Sequence, residues 1–351
     1  MKLSASFTSA LLGVSLLFGG SSWTTPAQGQ EVTLRVHFYV PAAAPIARNF
    51  VVPWTKAIES ESNGRIKFEL YPSMQLGGTP SQLFDQAKDG VADIVLALPG
   101  GTPGRFPKAE AIELPFIAGN AEQSSQAAWE FYEKHLKDEF DGVQMLAAFT
   151  HSPGVLHVKG KGVHKLEDMR GLKLRGPSRL VNRLLETLGA TPVGMPMPAV
   201  PDALSKGVID GTLIPWEVVA PLRVHEIVKT HTEFSGNRSL YVGFLILAMN
   251  QKRYDSLPPD LKAILAKHSG LDVSKRAGSV VDAADQVAIR AAKKRNNEIL
   301  VLDPAETGRW KEVSDKVYEG WVADMKGKGV DGQALIDDFK AIMSNHAGPV
   351  K

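Results

Sequence analysis

Short runs of alternating apolar and polar residues are interleaved with segments whose apolar residues recur at helical spacing. Val32–Phe38 alternates with a period of two and predicts a strand, whereas residues 50–62 show the spacing of an amphipathic helix. Residues 65–70 predict a second strand. Thr79-Pro80-Ser81-Gln82 then supplies a helix cap, a proline at the first helical position and a glutamine placed for a capping box. Strand and helix keep alternating, which predicts the α/β class with mostly parallel strand pairing.

One short pattern occurs twice. In Asp85–Asp93 and again in Asp202–Asp210, a helix ends at a glycine, a valine follows, and an aspartate comes two residues later, before an apolar strand. The glycine occupies the position where a helix needs a left-handed residue to end. Because each copy follows a strand and a helix, the repeat predicts two similar α/β lobes. Asp272–Asn297 is rich in alanine and long enough to cross both lobes.

Strand ends are the places to look for a binding site, because ligands of open α/β sheets bind beyond the carboxyl ends of the strands. The run Leu172–Arg175 alternates and ends on a charge, just before Gly176-Pro177-Ser178 breaks the strand. An arginine there is either solvated or directed into a cleft, and the duplicated lobe pattern favours the cleft. The other candidate ligand contacts are Phe38, Tyr39, Leu98, Pro99, Gly100, His151, Trp216, Glu217 and Tyr241.

Several of these candidates have a plainer interpretation that stays open. Phe38 and Trp216 also suit the core of a lobe, and His151 and Tyr241 also suit a satisfied interior position. Glu217 is an acid near a site built for an anion. It would therefore contribute only by accepting a hydrogen bond from a ligand hydroxyl or by pairing with an arginine.

The composition narrows the location and the partners. The 351 residues include no cysteine, which excludes disulfides, a thiol nucleophile and a lipid-anchored export signal. Lys2, a short apolar run and small residues near Gly29 predict a secretory signal peptide over residues 1–29, so the mature protein is expected in the periplasm, as a monomer. With 40 Lys and Arg against 38 Asp and Glu, nucleic acid is not an expected partner.

The motifs of common enzymes and cofactor sites are missing from the sequence. Residues 160–165 lack the spacing of a phosphate-binding loop, and there is no Gly-x-Ser-x-Gly elbow, dinucleotide fingerprint or His-Glu-x-x-His pattern. The histidine pairs 151/157 and 225/231 share no helical face. No enzyme activity, cofactor or metal is therefore expected. A secreted α/β enzyme that uses His151 and Glu217 as acid and base remains an alternative.

A series of short motifs follows in order along nearly all of the mature chain. They include Leu76-Gly77-Gly78, Pro103–Pro107, Glu113-Leu114-Pro115-Phe116, Leu166–Arg175, Leu188–Val193, Gly207–Gly211 and Ala248-Met249-Asn250. In this combination the chain resembles the extracytoplasmic solute-binding proteins of TRAP (tripartite ATP-independent periplasmic) transporters. Each motif alone is weak evidence for membership of this family, but the whole set in this order is specific for it.

The resemblance implies the two-lobe periplasmic binding-protein fold with crossing strands and a long helix over both lobes. Lobe I would hold residues 30–151 and about 241–275, lobe II residues 152–240 and about 276–325, and residues 326–351 would form a C-terminal helix packed on the lobes. The resemblance also implies a small organic acid ligand gripped by Arg175, and delivery to a membrane permease of one small and one large integral subunit. A receptor for another importer or for a sensor is the alternative.

One position departs from the family pattern. Many members carry asparagine three residues after the second Asp-Gly, where this chain has Ile214. An apolar side chain there disfavours a strongly polar ligand such as a sialic acid. Trp216 with Phe38 or Tyr39 would instead sandwich an apolar or aromatic body. The expected ligand is therefore a monocarboxylate, with aromatic, keto and hydroxy acids as candidates.

Overall fold

The computed structural model describes residues 31–346, which form two β-sheets covered by helices. The predicted signal peptide lies outside these residues. The strands are β1 Val32–Phe38, β2 Ile66–Tyr71, β3 Ile94–Ala97, β4 Val143–Thr150, β5 Gly154–Val158, β6 Lys173–Gly176, β7 Thr191–Gly194, β8 Gly211–Pro215, β9 Thr230–Phe234, β10 Phe244–Asn250 and β11 Glu298–Leu302. The α-helices are α1 Val52–Glu61, α2 Leu83–Lys88, α3 Ala121–Phe131, α4 Arg179–Thr187, α5 Val200–Ser205, α6 Trp216–Val219, α7 Gln251–Asp255, α8 Pro259–Lys267, α9 Leu271–Lys294, α10 Pro304–Lys326 and α11 Gly332–Asn345.

The two sheets share a common plan. The first has the order β2-β1-β3-β10-β4, and the second has the order β11-β9-β5-β8-β6-β7. In the first sheet β1 pairs in parallel with β2 and β3, and in the second β6 pairs in parallel with β7 and β8. An antiparallel strand then follows in each, β10 beside β3 and β5 beside β8. The α/β class and the two-lobe arrangement are confirmed; below, the first and second lobes are these two sheets with their covering helices.

Extended segments and one long helix connect the lobes. Strand β4 of the first sheet continues through residues 151–153 into β5 of the second, and β9 of the second sheet leads back to β10 of the first. Helix α9 packs against α3 on one side and α6 on the other. The predicted crossing strands and long helix are therefore confirmed. The residue boundaries given above for the lobes stay a prediction.

The repeated pattern corresponds to one structural device used in both sheets. Asp93 Oδ2 accepts a hydrogen bond from the main-chain N–H of Arg35 at 2.8 Å, and Asp210 Oδ2 accepts one from the N–H of Lys173 at 2.8 Å. The N–H of each aspartate donates in return to the carbonyl of the same partner residue. Each aspartate thus ties the start of the third strand, β3 or β8, to the central parallel strand, β1 or β6. This local geometry explains why the pattern recurs.

The helix start predicted from Thr79 is also observed. The N–H of Thr79 donates to Oε1 of Gln82 at 2.8 Å, and Pro80–Gln82 forms a single 3-10 turn that leads into α2. None of the helices within residues 31–346 is both long and apolar enough to cross a membrane.

Candidate functional site

A cavity of about 570 Å³ lies between the carboxyl ends of the parallel strands of the two lobes. Of the predicted contacts, seven line it: Tyr39, Leu98, Gly100, His151, Arg175, Glu217 and Tyr241. Most of the remaining wall is apolar: Val40, Ile46, Phe149, Met195, Met197, Ile214, Pro215, Val218, Leu245 and Val281. The predicted cleft at the strand ends is therefore present, and a single arginine, Arg175, is buried within its wall.

Arg175 is held in place by the two strands that flank its own. Its Nε–H donates to the main-chain carbonyl of Met195, just beyond β7, at 2.9 Å. Its Nη1–H donates to the carbonyl of Leu213 in β8 at 3.1 Å. The side chain is only 3% exposed. Because both bonds go to uncharged main-chain oxygens, the guanidinium is oriented without being neutralised, and Nη2 makes no hydrogen bond to residues 31–346.

The positive charge of Arg175 has no acidic partner in the described part of the chain: no carboxylate of residues 31–346 lies within ion-pair distance. Burial lowers the pKa of Arg175 to about 10, so the guanidinium remains protonated at neutral pH. An unpaired buried charge costs several kcal/mol. The site is therefore incomplete until an anion enters the cavity.

Two phenols stand near this charge. Tyr39 and Tyr241 are buried and line the cavity, and each is close enough to Arg175 for the guanidinium charge to act on its pKa. Burial raises the pKa of both phenols, which therefore keep their hydrogens. Within residues 31–346 neither hydroxyl makes a hydrogen bond to the protein. Both are consequently available as donors to a bound anion.

His151 presents a hydrogen-bond acceptor to the cavity, whereas the two phenols present donors. Its Nδ1 lies 2.6 Å from the main-chain oxygen of Ser152, which can only accept, so Nδ1 carries the hydrogen. Burial lowers the pKa of His151 to about 4, so the ring is neutral and Nε2 is a hydrogen-bond acceptor. The ring packs edge-on against Tyr241 with their centroids 5.2 Å apart. His151 thus adds no positive charge at neutral pH.

Glu217 faces the cavity from the start of α6 and is only 5% exposed. Its Oε2 lies 3.2 Å from the hydroxyl oxygen of Ser152, and the same hydroxyl lies 2.7 Å from Oδ1 of Asp285 on α9. Burial, and next the charge of Asp285, raise the pKa of Glu217 well above its ordinary value. Burial also raises the pKa of Asp285 to about 7. Two carboxyl groups thus share one serine behind the cavity wall.

Gly100 lines the cavity for a steric reason. A Cβ at this position would lie 2.8 Å from both carboxylate oxygens of Glu113. Glu113 is itself buried behind the wall, where Oε1 accepts the N–H of Phe244 at 3.0 Å, and burial raises its pKa to about 7. The absence of a side chain at Gly100 therefore lets the wall approach this carboxyl group closely.

Three predicted contacts, Phe38, Pro99 and Trp216, do not line the cavity. Phe38 is 1% exposed and lies in the core of the first lobe. Successive residues of an extended strand point to opposite faces, so Tyr39, the next residue, faces the cavity. Pro99 is buried at the start of a 3-10 turn, between two residues that line the cavity. Trp216 is rotated away from its neighbour Glu217 and packs in the core of the second lobe. The expected sandwich of a ligand by Trp216 is corrected accordingly.

Trp216 covers a pair of histidines instead. Its indole lies over His157 and His231, at centroid distances of 5.2 and 4.6 Å, and its Nε1–H donates to Glu233 at 2.6 Å. The Nδ1 atoms of the two histidines are 2.6 Å apart. Burial lowers the pKa of His157 well below its usual value and that of His231 to about 4. Two neutral rings can share this short contact, since one donates and the other accepts.

The site also contains residues that the sequence did not single out. Ser152 and Asp285 touch Glu217, although Asp285 is separated from Ser152 by 133 positions in the chain. Met195 and Met197 follow β7, a third strand end that the repeat pattern could have indicated. No group of three or more His, Cys, Asp or Glu side chains among residues 31–346 is arranged to hold a metal ion.

Comparison with known proteins gives one family for nearly the whole described chain. The model described as "Bacterial extracellular solute-binding protein, family 7" matches residues 38–324. Among curated proteins, the chain is 24% identical to the C4-dicarboxylate-binding periplasmic protein of Rhodobacter capsulatus over 88% of this chain and 92% of that one.

Solved structures agree with this assignment. A TRAP solute-binding protein from Rhodoferax ferrireducens with copurified benzoate is 45% identical, covers 90% of this chain and 98% of its own, and superimposes with a TM-score of 0.88. One from an unidentified marine microbe, specific for aromatic acid ligands and holding 3-hydroxybenzoate, is 41% identical over 91% of this chain and 100% of its own, with a TM-score of 0.89. One from Bordetella bronchiseptica with bound (R)- and (S)-mandelate is 29% identical over 90% and 100%, with a TM-score of 0.83.

Proposed function

Because this chain belongs to the bacterial extracellular solute-binding proteins of family 7, we propose that it is a receptor that closes its lobes around an aromatic monocarboxylate and releases it unchanged. The family consists of solute-binding receptors. The cavity between the strand ends is the proposed binding site. Its buried positive charge and its apolar lining are the reasons for proposing this class of ligand.

The observation that carries the proposal is the unpaired charge of Arg175. A ligand carboxylate would accept hydrogen bonds from the part of the guanidinium that the protein leaves unused, in the planar geometry that suits an arginine fork. Hydrogen bonds to charged groups contribute about 1.5–3 kcal/mol each. The anion would also remove the cost of an uncompensated buried cation, so binding and lobe closure support each other.

Tyr39 and Tyr241 would complete the carboxylate site. Their protonated hydroxyls are donors without a protein partner among residues 31–346, and they lie close to Arg175. Three donor groups on one carboxylate would satisfy most of its oxygen lone pairs. The proposal assigns these three residues to the carboxylate and the apolar wall to the rest of the ligand.

The apolar wall supports an aromatic body. Side chains such as Phe149, Met195, Ile214 and Leu245 cannot form hydrogen bonds with the polar groups of a ligand, but they can bury a benzene ring. The relatives with bound benzoate, 3-hydroxybenzoate and mandelate support the same class of ligand. We therefore propose an aromatic monocarboxylate rather than a sugar acid or a dicarboxylate.

The proposed setting follows from the family. The receptor would act in the periplasm, after removal of the predicted signal peptide, and would deliver its ligand to a TRAP permease of a small and a large membrane subunit. Co-purification of the receptor with its permease in the presence of benzoate, and its absence from complexes of an ATP-driven importer, would test this pairing.

The alternative of a secreted enzyme is less well supported by the site. In that alternative His151 and Glu217 would act as acid and base, yet Oε2 of Glu217 is engaged with the hydroxyl of Ser152 at 3.2 Å. His151 uses its N–H on the main-chain oxygen of Ser152, not on a carboxylate. Neither residue is arranged as in a hydrolytic triad.

The proposed function is tested with the purified mature protein. Native mass spectrometry identifies any copurified ligand, and calorimetry compares benzoate, 3-hydroxybenzoate and mandelate with malonate and a sialic acid. We expect the aromatic acids to bind at least 100-fold more tightly than the others, a difference of about 2.7 kcal/mol. Tighter binding of malonate, or chemical conversion of a bound acid, would overturn the proposal.

A further inference from the structure

The hydroxyl of Ser152 stands between two carboxyl groups and has only one hydrogen to give. Its oxygen lies 2.7 Å from Oδ1 of Asp285 and 3.2 Å from Oε2 of Glu217. If the hydrogen is donated along the shorter contact to Asp285, the serine oxygen must accept from Glu217. In this arrangement Oε2 of Glu217 carries a proton, and Glu217 is a neutral carboxylic acid.

The surrounding charges favour the same state. Glu217 and Asp285 are close to a third carboxylate, Asp282, and Glu233 lies near Asp285. On the cavity side Arg175 is unpaired and remains available for the ligand, whereas Arg179 is paired with Glu110 and Asp324. Burial and the neighbouring negative charges both raise the pKa of Glu217. A neutral Glu217 also avoids repelling the anion that the site is built to hold.

A neutral Glu217 presents an acceptor to the cavity. With Oε2–H used on Ser152, the carbonyl oxygen Oε1 remains, and no other residue within 31–346 donates a hydrogen bond to it. The cavity thus has a donor group, formed by Arg175, Tyr39 and Tyr241, and a separate acceptor, Oε1 of Glu217. A ligand hydroxyl fits this acceptor, whereas a second carboxylate does not.

We propose that Glu217, kept neutral by Ser152 and Asp285, accepts a hydrogen bond from a hydroxyl on the ligand, so that the receptor prefers hydroxyl-bearing aromatic monocarboxylates to their unsubstituted parents. This inference rests on the proposed function of the same cavity. The competing acceptor is Nε2 of His151, which also lines the cavity and is also without a protein donor among the described residues. The experiment must separate the two.

The test compares each hydroxylated acid with its own parent in the same protein. Calorimetry is run with the three hydroxybenzoate isomers against benzoate, and with mandelate against phenylacetate. One neutral hydrogen bond predicts that the best hydroxylated acid binds about 3- to 10-fold more tightly than its parent. Because the preference is a ratio within one protein, a general loss of stability in a variant does not imitate a change in it.

Three variants assign the acceptor. Glu217→Gln keeps an N–H for Ser152 and a carbonyl for the ligand, so the preference should remain within about twofold of the parent value. Glu217→Met removes the acceptor, and the preference should fall to about one while benzoate still binds. His151→Phe keeps an aromatic ring without Nε2 and should leave the preference unchanged.

The outcomes are distinct. A parent protein that binds benzoate without preferring any hydroxylated acid would overturn the inference, as would a preference that survives Glu217→Met. A preference lost in His151→Phe alone would transfer the role to the imidazole. A parent protein that binds none of these acids would instead refute the proposed function.

Discussion

Arg175 donates its Nη1–H to the main-chain oxygen of Leu213 at 3.1 Å. The two residues belong to neighbouring parallel strands, β6 and β8, so the register of the sheet decides where the guanidinium is held. An uncharged carbonyl orients the side chain without neutralising it. The positive charge therefore stays available at the strand ends, where the cavity opens.

Replacing Arg175 by lysine or alanine should weaken binding of benzoate by about 10- to 100-fold, because the ammonium of lysine cannot keep both carbonyl contacts and also meet a carboxylate with a planar fork. Calorimetry with benzoate measures the loss. Arg223→Lys, at an arginine whose side chain is 75% exposed, is the matched control and should bind like the parent. Unchanged affinity in Arg175→Lys would show that the anchor lies elsewhere.

The two phenols give a subtler prediction. Tyr39→Phe and Tyr241→Phe retain the ring and remove the donor, so each should reduce benzoate affinity by about 3- to 30-fold with little change in thermal stability. Tyr71→Phe is the control, since the hydroxyl of Tyr71 donates to Glu69 on the surface. If both cavity variants bind benzoate as tightly as Tyr71→Phe does, the hydroxyls do not contact the carboxylate.

Binding should weaken as the pH rises. The pKa of Asp285 is raised to about 7 and that of Glu217 lies well above its usual value, so both groups are protonated at low pH and ionise as pH increases. Ionisation puts negative charge beside an anionic ligand. Benzoate affinity is measured between about pH 6 and about pH 9, a range in which an ordinary carboxylic acid ligand stays ionised. The decline should be smaller in Glu217→Gln, and an identical decline would show that Glu217 does not titrate there.

The histidine pair should make the fold sensitive to acid. Both rings of His157 and His231 are neutral when folded, and the pKa of His231 is lowered to about 4 from 6.5. The unfolded chain therefore binds more protons below about pH 6.5, and the stabilising contribution of His231 is present above that pH and lost as the pH falls towards 4. The other ring nitrogens have their own partners, since Nε2 of His157 lies 3.1 Å from the main-chain oxygen of Ile214 and Nε2 of His231 lies 3.1 Å from Nδ2 of Asn297.

The corresponding experiment uses His231→Asn, whose amide can still donate to His157 but does not titrate. Urea unfolding of parent and variant at about pH 7.5 and about pH 5 should show a smaller acid-induced loss in the variant. The exposed His164→Asn serves as control and should behave like the parent. Equal losses in the parent and in His231→Asn would mean that this pair is not responsible.

One ion pair should stabilise the closed arrangement. Arg179, at the start of α4 in the second lobe, donates Nε–H and Nη2–H to the carboxylate of Glu110 in the first lobe, at 3.1 and 2.6 Å. Glu110→Gln should leave each lobe folded but weaken benzoate binding several-fold, because the ligand then closes a less stable interface. Glu167→Gln breaks a surface pair with Arg309 away from the cavity and should have no effect on binding. Equal affinities for the two variants would exclude a role in closure.

Much of the architecture could be predicted because it is encoded over short distances. The alternation in β1, the cap at Thr79 and the recurring aspartates 93 and 210 each depend on residues within a few positions of one another. Arg175 could be singled out because the duplicated lobe pattern favoured a cleft at the end of its strand, and the resemblance to the TRAP receptors implied a carboxylate partner. The sequence alone therefore determined the class and the duplicated lobe, and it singled out Arg175 as the proposed anchor.

Tertiary structure decided which of two neighbouring residues faces the ligand. A strand's period assigns Phe38 and Tyr39 to opposite faces but does not say which face is inside, and that depends on the helices packed on each side. Trp216 and Glu217 begin helix α6, where successive side chains are about 100° apart, and packing again decides which of them faces the cavity. The pairing of His157 with His231 and of Ser152 with Asp285 joins residues 74 and 133 positions apart. Such contacts follow from strand register and helix packing, so no local pattern in the sequence reveals them. For the same reason no local pattern reveals the proposed neutral state of Glu217.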